Sequence, residues 1–535
     1  MAAETRPLGA QISHMLKDRG VEVIFGIPGV HNQEMYRGIE EAGITHVLAR
    51  HEQGAGFMAD GYARATGQPG VCYVITGPGV CNIMTPMGQA YSDSVSMLVL
   101  SSALDEIAAT KGQLHQMKDQ RTAAATVCDW SEEALTAAAA YDLIDRAFTE
   151  FEHCRARPKH IQVPIKALES PAPDAPTRAM QASGTRRGYE ADTVASIADA
   201  LKVARRPMMI LGGGATGAAA SAVHLIEAIG MPAFCTYAGR GIIPGDHPYY
   251  FGSMLARPDS ARVLAQADLL VVAGSEMAQV DLWRDAPGHD CPVIRIDIDP
   301  SQLSGAVRDG DIHVIGDASV YLAEITAALA DHRAQTDWQA VEIAEHRARW
   351  RREVDAERPG ILPVCEALQA VLPQDVMIYS DMTQFAYAAK EIWDMPRPGH
   401  WHHPYGFGTL GYATPAAIGG AIARAGLPTL AIIGDYGFHY TMQELGVALE
   451  LGLSLPILLW DNGKLKEIEE SMVRSQIAPN AVVARNPDFC KLAEAFGAQA
   501  CRPQTLVDLQ SAVTQAFVAD GPTLIHVTPQ IATQA

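Results

Sequence analysis

Two short segments toward the C-terminal end carry the oxygen ligands that a hard divalent cation wants: Gly434-Asp435, and Asp461-Asn462-Gly463-Lys464. Mg²⁺ takes oxygens in octahedral geometry, commonly one or two from protein and the rest from phosphate and water. Asp435 offers a carboxylate, Asn462 an amide oxygen and Lys464 its backbone carbonyl. Asp435 and Asn462 lie 27 positions apart (462 − 435), so the intervening elements must bring them together. Leu430 to Ile433 and Pro456 to Trp460 are short apolar runs of the kind that form buried parallel strands. Between them, Thr441 to Leu451 has the apolar spacing of a helix. This strand–loop–helix–strand unit places Asp435 and Asn462 at the carboxyl ends of strands, where open parallel sheets bind ligands. The free N–H groups at the helix start favour a phosphate there. Asp435 alone would read as an ordinary turn residue; the paired spacing points to a cation–diphosphate site.

A second chemical group stands near the N-terminus. Val21 to Ile27 and Thr45 to Leu48 read as strands, the first closed by Pro28-Gly29 before a helix near Asn32 to Ile39. Glu52 follows the second strand in Arg50-His51-Glu52-Gln53, at the start of a helix over Gly54 to Thr66. A carboxylate there suits the helix dipole, which is its ordinary explanation. Val71 to Ile75 is a further strand, followed by the glycine-rich turn Thr76-Gly77-Pro78-Gly79-Val80-Cys81-Asn82. The segment Lys111 to Gln120 holds Leu114-His115-Gln116. His115 titrates near neutrality and is a candidate for proton transfer.

Taken together, these segments resemble the thiamine diphosphate-dependent acetolactate synthase and 2-oxo acid decarboxylase family. The carrying motifs are Gly434-Asp435 with Asp461-Asn462, His51 to Arg64, Thr76 to Asn82, Asp381-Met382-Thr383-Gln384, and His403 to Tyr412. Two departures stand out: Tyr436 replaces the usual third glycine of the metal motif, and Asp461 replaces its first asparagine. Within the family the segments Phe25 to His31 and His403 to Tyr412 are most similar to those of 5-guanidino-2-oxopentanoate (2-ketoarginine) decarboxylases.

The resemblance implies a role for each matched residue. Glu52 is implied as the catalytic acid that hydrogen-bonds the aminopyrimidine, with His115 and Gln116 in the region that reaches the reaction centre. Pro28, Gly29, Thr76, Asn82, Thr383, Gln384, Gly408, Leu410, Tyr436 and Gly437 are implied cofactor contacts. Asp435, Asn462 and Lys464 are implied to hold Mg²⁺. His31 and Tyr405 are implied to face substrate. The family mechanism uses the thiazolium as electron sink while carbon dioxide leaves a 2-oxo acid. Protonation then gives an aldehyde, whereas attack on a second carbonyl gives a carboligation product. On the helix after the metal motif, Glu467 and Glu470 are three apart and share a face. One of them could bind a cationic tail through charge-assisted bonds; a solvated acidic face is the plain alternative.

At 535 residues, with 48% hydrophobic and 19% charged content, the chain should form about three globular domains. The expected fold class is α/β, each domain a mostly parallel sheet flanked by helices. The expected units are 1–170, pyrimidine-binding; 188–330, central and Rossmann-like; and 359–535, diphosphate-binding. Ser170 to Pro176 is a proline-rich linker, and Ala330 to Arg358 is a polar, partly helical connection. In the central unit, Gly212-Gly213-Gly214 follows a strand at Met208 to Leu211. That is a weak nucleotide signal, so FAD is possible there but not favoured.

The net charge of −20, from 41 basic and 61 acidic residues, argues against general nucleic-acid binding. Nine cysteines without a Cys-x-x-Cys pair point to a reducing compartment. Neither a signal-peptide core nor an apolar run of membrane-spanning length is present. The expectation is therefore a cytoplasmic enzyme for a small 2-oxo acid. The resemblance implies a homodimer or homotetramer with active sites at the subunit interface. Two alternatives stay open, an acetolactate synthase-like carboligase and a cofactor-less regulatory or structural homologue.

Overall fold

The structure is a computed structural model and describes residues 5–105, 112–177, 188–305, 307–332 and 335–533. Of the Lys111 to Gln120 segment, only Lys111 lies outside the described residues. Its framework is three six-stranded sheets. In the first, the strands run from edge to edge Thr45–Leu48, Val23–Gly26, Gly70–Val74, Met97–Ala103, Lys159–Pro164 and Trp130–Glu133. The second runs Tyr250–Gly252, Ala233–Cys235, Pro207–Leu211, Leu269–Ala273, Val293–Asp297 and Ile312–Ile315. The third runs Trp401–His402, Met377–Ser380, Thr429–Gly434, Pro456–Trp460, Thr523–Val527 and Gln499–Cys501.

Every pairing within these sheets is parallel. Parallel strands are covered by helices on both faces, so they need unbroken apolar runs rather than alternation. Leu430, Ala431, Ile432 and Ile433 illustrate this, all four fully buried.

In each sheet the chain first steps out to one edge and then reverses, crossing back past the strand it started from. In the first, the chain steps from Val23–Gly26 outward to Thr45–Leu48 and then back across to Gly70–Val74. In the third, it steps from Met377–Ser380 to Trp401–His402 and back to Thr429–Gly434. A crevice opens beyond the carboxyl ends at such a reversal. The loops Ile27-Pro28-Gly29 and Ile75-Thr76-Gly77 flank the first crevice, and Asp381 to Gln384 and Asp435 flank the third.

The first and third sheets share one apolar core. Helices Glu52–Thr66 and Ala413–Ala423 cross at its centre with their backbones in contact. A Cβ at Gly61 would overlap the Ala416 carbonyl, and one at Gly419 would overlap the Met58 carbonyl. Tyr379 donates its hydroxyl hydrogen to the Gly61 carbonyl at 2.8 Å, and Tyr412 donates to Asp60 at 2.7 Å. A second core joins the central and third sheets through Trp350, Trp338 and Phe251.

Two helices begin earlier than the apolar spacing predicts. The one expected from Gly54 starts at Glu52, because His51 caps it: Nδ1 accepts the Gln53 N–H at 3.1 Å. The one expected over Thr441 to Leu451 begins at Asp435 and is broken into Asp435–Thr441, a 3₁₀ turn at Met442–Glu444 and Leu445–Glu450. Asp435 suits a first helical turn. Gly437 lets that turn approach the neighbouring strand end, where a Cβ would lie 3.0 Å from the Asp381 carboxyl carbon. Among the described residues no helix is long and apolar enough to cross a membrane.

Candidate active site

The first half of the site is built on the first sheet. Glu52 is 8% exposed and accepts the Asn82 side-chain N–H on Oε2 at 2.9 Å. Behind its other oxygen stands Gly79, where a Cβ would lie 3.3 Å from Glu52 Oε1 and 3.0 Å from Ile75. The glycine of the Gly-Pro-Gly turn therefore leaves the carboxylate room. Thr76 is pinned from below: its hydroxyl and the Gly77 N–H both donate to Gln120 Oε1, at 2.8 and 2.9 Å. Gly29 closes on Ile75, where a Cβ would lie 2.4 Å from the Cδ1 methyl. Pro28, beside it, is exposed.

His115 is held in the left-handed region at φ 64°, a conformation that costs energy for a residue other than glycine. Its carbonyl packs on Gly77, and its ring meets the His31 ring edge-on with centroids 5.0 Å apart. The Nδ1 atoms of both histidines are buried without a protein partner. Burial, and then the neighbouring His115, holds the His31 imidazole below its ordinary range. Gln116 accepts the Gln113 backbone N–H at 3.2 Å in the same loop. Glu52, Asn82, Gly79, Ile75, Gly29, His31 and His115 thus form one contiguous wall.

The second half is built on the third sheet. Gly434 pairs with Trp460 in register, so Asp435 and Asp461 emerge side by side. Burial raises the Asp435 carboxyl; the Asn486 amide opposes that and the nearby Asp461 adds to it. Asn462 Oδ1 faces the turn at Lys464, whose N–H it accepts at 3.3 Å. Lys464 Nζ is taken up by Glu469, 3.0 Å from each oxygen. The carboxylate of Asp435, the amide oxygen of Asn462 and the Lys464 carbonyl are oxygens of the hard type that Mg²⁺ takes. Tyr436, half-buried in the first helical turn, occupies the place of the family's third glycine.

The turn Gly408-Thr409-Leu410-Gly411 lies against this half. Gly408 at φ 70° and Gly411 at φ 86° both need glycine's freedom. A Cβ on Gly408 would stand 3.5 Å from Met382, and one on Gly411 would crowd Tyr440. Leu410 is half-buried in that turn. Thr383 packs against Gly434, within 3.2 Å of the place a Cβ would take there. Asp381 is fully buried behind both loops. Burial pushes its carboxyl up to about 7, against the pull of the Ala413 and Met382 N–H groups. Gln384 Nε2 reaches Glu470 Oε1 at 3.5 Å.

Two residues expected to face substrate are committed elsewhere. Tyr405 lies between domains: its hydroxyl donates to the Tyr237 carbonyl at 3.1 Å and its N–H to Asp93 at 3.2 Å. It lines a cavity of about 710 Å³ at the carboxyl ends of the central sheet, with Gly213, Gly274, Asp281 and Asp297. Aromatic stacking on Tyr237 draws it there, the planes 8° apart. Glu467 is clamped by Arg358, Nε to Oε1 at 2.9 Å and a second nitrogen to Oε2 at 3.4 Å. A guanidinium of this chain already occupies it. Asn82 likewise spends its amide on Glu52.

Three residues receive no role from the sequence. Gln120 shapes the Thr76 turn, and Asn486 bridges Asp435 and Asp461. Glu444 accepts the Arg50 N–H at 3.1 Å and packs on Gly54, beneath the helix that carries Glu52. Its burial pushes the carboxyl up to about 7. Asp381 stands in a motif that the sequence carries, after its strand as Asp435 stands after Thr429–Gly434; Asn486 has no local signal.

Three family models match the chain: the N-terminal thiamine pyrophosphate (TPP) binding domain over residues 6–123, the central domain over 194–325, and the C-terminal TPP binding domain over 381–527. A probable 2-ketoarginine decarboxylase of Pseudomonas aeruginosa is 39% identical over 98% of this chain and 94% of its own length. The acetolactate synthase isozyme 2 large subunit of Escherichia coli is 29% identical over 97% of this chain and 95% of its own. An acetolactate synthase of Mycobacterium bovis is 29% identical over 97% and 87%.

Proposed function

This chain belongs to the thiamine pyrophosphate enzyme family, and from that premise we propose that it decarboxylates a 2-oxo acid with a cationic tail, 5-guanidino-2-oxopentanoate fitting best. The observation that carries the choice of substrate is the 39% identity, over nearly the full length, to a relative named for 2-ketoarginine. The helix Lys466–Arg474 supports it. With Glu467 neutralised by Arg358, Glu470 is the carboxylate turned toward Gln384, shared with Lys466 at 3.4 Å. A guanidinium could displace that rim lysine and gain a planar, bidentate partner.

When bound, thiamine diphosphate supplies the carbon nucleophile and the electron sink for loss of carbon dioxide. In this reading Asp435, Asn462 and the Lys464 carbonyl hold Mg²⁺ and through it the diphosphate. Glu52 receives the pyrimidine end, its Oε2 fixed by Asn82 so that Oε1 is the atom that exchanges a proton. His31 and His115 present unpartnered Nδ1 atoms over the same wall, where they can hold the proton that completes an aldehyde. Units 1–170, 188–330 and 359–535 each contribute a sheet, and the central one has no assigned role in the chemistry.

Glu52 and Asp435 sit on different sheets, and apolar side chains on the segments that carry Gly29, His115 and Lys464 are exposed: Val30 at 62%, Leu114 at 62% and Val483, bridged to Lys464, at 67%. A second copy covering these residues would bury them, which supports a dimer with sites completed across the interface. The test of substrate is kcat/KM for 5-guanidino-2-oxopentanoate against pyruvate, with carbon dioxide and aldehyde both measured. A preference for pyruvate with a carboligated product would replace this reading with the acetolactate synthase one.

A further inference from the structure

The metal motif departs from the family at Asp461, and its surroundings explain why a carboxylate stands there. Asp461 Oδ1 accepts the Gly463 N–H at 3.0 Å and the Asn486 Nδ2–H at 3.0 Å. Its Oδ2 lies 2.8 Å from His526 Nε2. On the other side of that ring, Nδ1 accepts from Arg502 Nε at 3.1 Å. An arginine can only donate, so the imidazole carries its hydrogen on Nε2 and donates it to Asp461. Both oxygens of Asp461 therefore receive hydrogens. An asparagine would turn its NH₂ either on His526 Nε2–H or on the Gly463 and Asn486 donors.

Asn486 carries the arrangement to the metal residue. The same Nδ2 that reaches Asp461 also donates to Asp435 Oδ2 at 2.7 Å, and its Oδ1 lies 3.3 Å from His439 Nε2. Two carboxylates facing one amide group leave only one orientation for that side chain. The result is a relay of fixed hydrogen bonds, Arg502 to His526 to Asp461, with Asn486 joining Asp461 to Asp435.

We infer that Asn486 and Asp461 are positioning residues for the cation: Asp461 is not itself a ligand but anchors Asn486, which clamps one oxygen of Asp435 and turns the other toward the metal. This rests on the metal reading of Asp435 and Asn462. Residues that orient a ligand commonly change metal affinity about 10- to 100-fold when removed.

The test is calorimetric titration of the full chain with Mg²⁺ at saturating thiamine diphosphate, alongside unfolding midpoints without cofactor. Asn486→Ala should weaken Mg²⁺ about 10-fold or more, with the cofactor-free unfolding midpoint kept near wild type. Asp461→Asn should weaken it similarly. Adding His526→Leu to Asp461→Asn removes the opposing donor and should recover part of the loss, a non-additivity that a simple packing defect would not show. Wild-type Mg²⁺ affinity in Asn486→Ala would overturn the proposal, as would a fall in kcat at saturation with affinity unchanged. If wild-type protein binds no Mg²⁺ with thiamine diphosphate, the metal reading itself fails, a distinguishable result. Should Asp461→Asn not fold, Asn486→Ala and Asn486→Ser decide the question alone.

Discussion

Asn82 Nδ2 stands 2.9 Å from Glu52 Oε2, so an amide on the first turns of the helix Pro78–Asp93 orients the carboxylate at the head of the preceding helix, Glu52–Thr66. One oxygen of Glu52 is thereby fixed and the other lies over Gly79, where a Cβ would crowd it at 3.3 Å. Glu52→Gln should lower kcat by about 10²-fold or more, the usual scale for a positioned acid–base group. Asn82→Ala should lower it less, since the carboxylate remains. Decarboxylation assays, with circular dichroism to check folding, decide both. Unchanged turnover in Glu52→Gln would remove the residue from the mechanism.

Glu52 and Asp435 are carried by different sheets, and a site made across two copies needs one from each. Mixing Glu52→Gln chains with Asp435→Ala chains should restore part of the wild-type activity once subunits exchange. Mass spectrometry of the mixture verifies the exchange. A mixture that exchanges but stays inactive would place both residues in a site within one chain.

The two glutamates of the helix Lys466–Arg474 should differ in their effects. Glu470→Gln should cut kcat/KM for 5-guanidino-2-oxopentanoate about 10-fold, the scale of one charge-assisted hydrogen bond, and leave pyruvate unaffected. Glu467→Gln should leave that selectivity intact and lower the unfolding midpoint, because it removes the nearer of the two carboxylates that pair with Arg358. Equal loss of selectivity in both variants would mean that the tail does not read Glu470.

Thiamine diphosphate and Mg²⁺ added together should raise the unfolding midpoint. Ligand at about 100 times its Kd stabilises by about 2.7 kcal/mol. Neither component alone should reach this if, as proposed, Asp435 and Asn462 hold the diphosphate through the cation. Differential scanning fluorimetry measures it, and identical midpoints with and without the pair would leave the cofactor site unsupported.

Glu444 gives the chain a pH dependence outside catalysis. Its carboxyl is raised by burial from 4.5 in a model peptide to about 7 when folded. Between those values the folded chain holds a proton that the unfolded chain has released, so stability is present at low pH and lost as pH rises through the folded value. Between about pH 5 and pH 8 this group should cost on the order of 1–3 kcal/mol. Glu444→Gln should flatten that slope in denaturant titrations at the two pH values. An unchanged slope would mean that Glu444 stays ionised in its buried place.

Local chemistry made much of this protein legible from residue order. Parallel strands buried on both faces must be unbroken apolar runs, so Leu269–Ala273 and Pro456–Trp460 could be read to the residue. Ligands gather where such strands end, so Glu52, Asp435 and Asn462 could be singled out without coordinates. What the sequence could not hold is which partner each side chain finds across long separations. Asn486 meets Asp435 over 51 positions and Glu444 meets Arg50 over 394, and no spacing rule links them. Tyr405 shows the same limit: its sequence neighbours suggest a substrate contact, and nothing in them signals the stacking on Tyr237 of the central unit. Glu467 and Glu470 are equivalent on a helical wheel; only packing of the connection against the third sheet brings Arg358 to one and Gln384 to the other. Burial and hydrogen-bond partners are properties of the packed chain, and they separate a carboxylate that is occupied from one that can act.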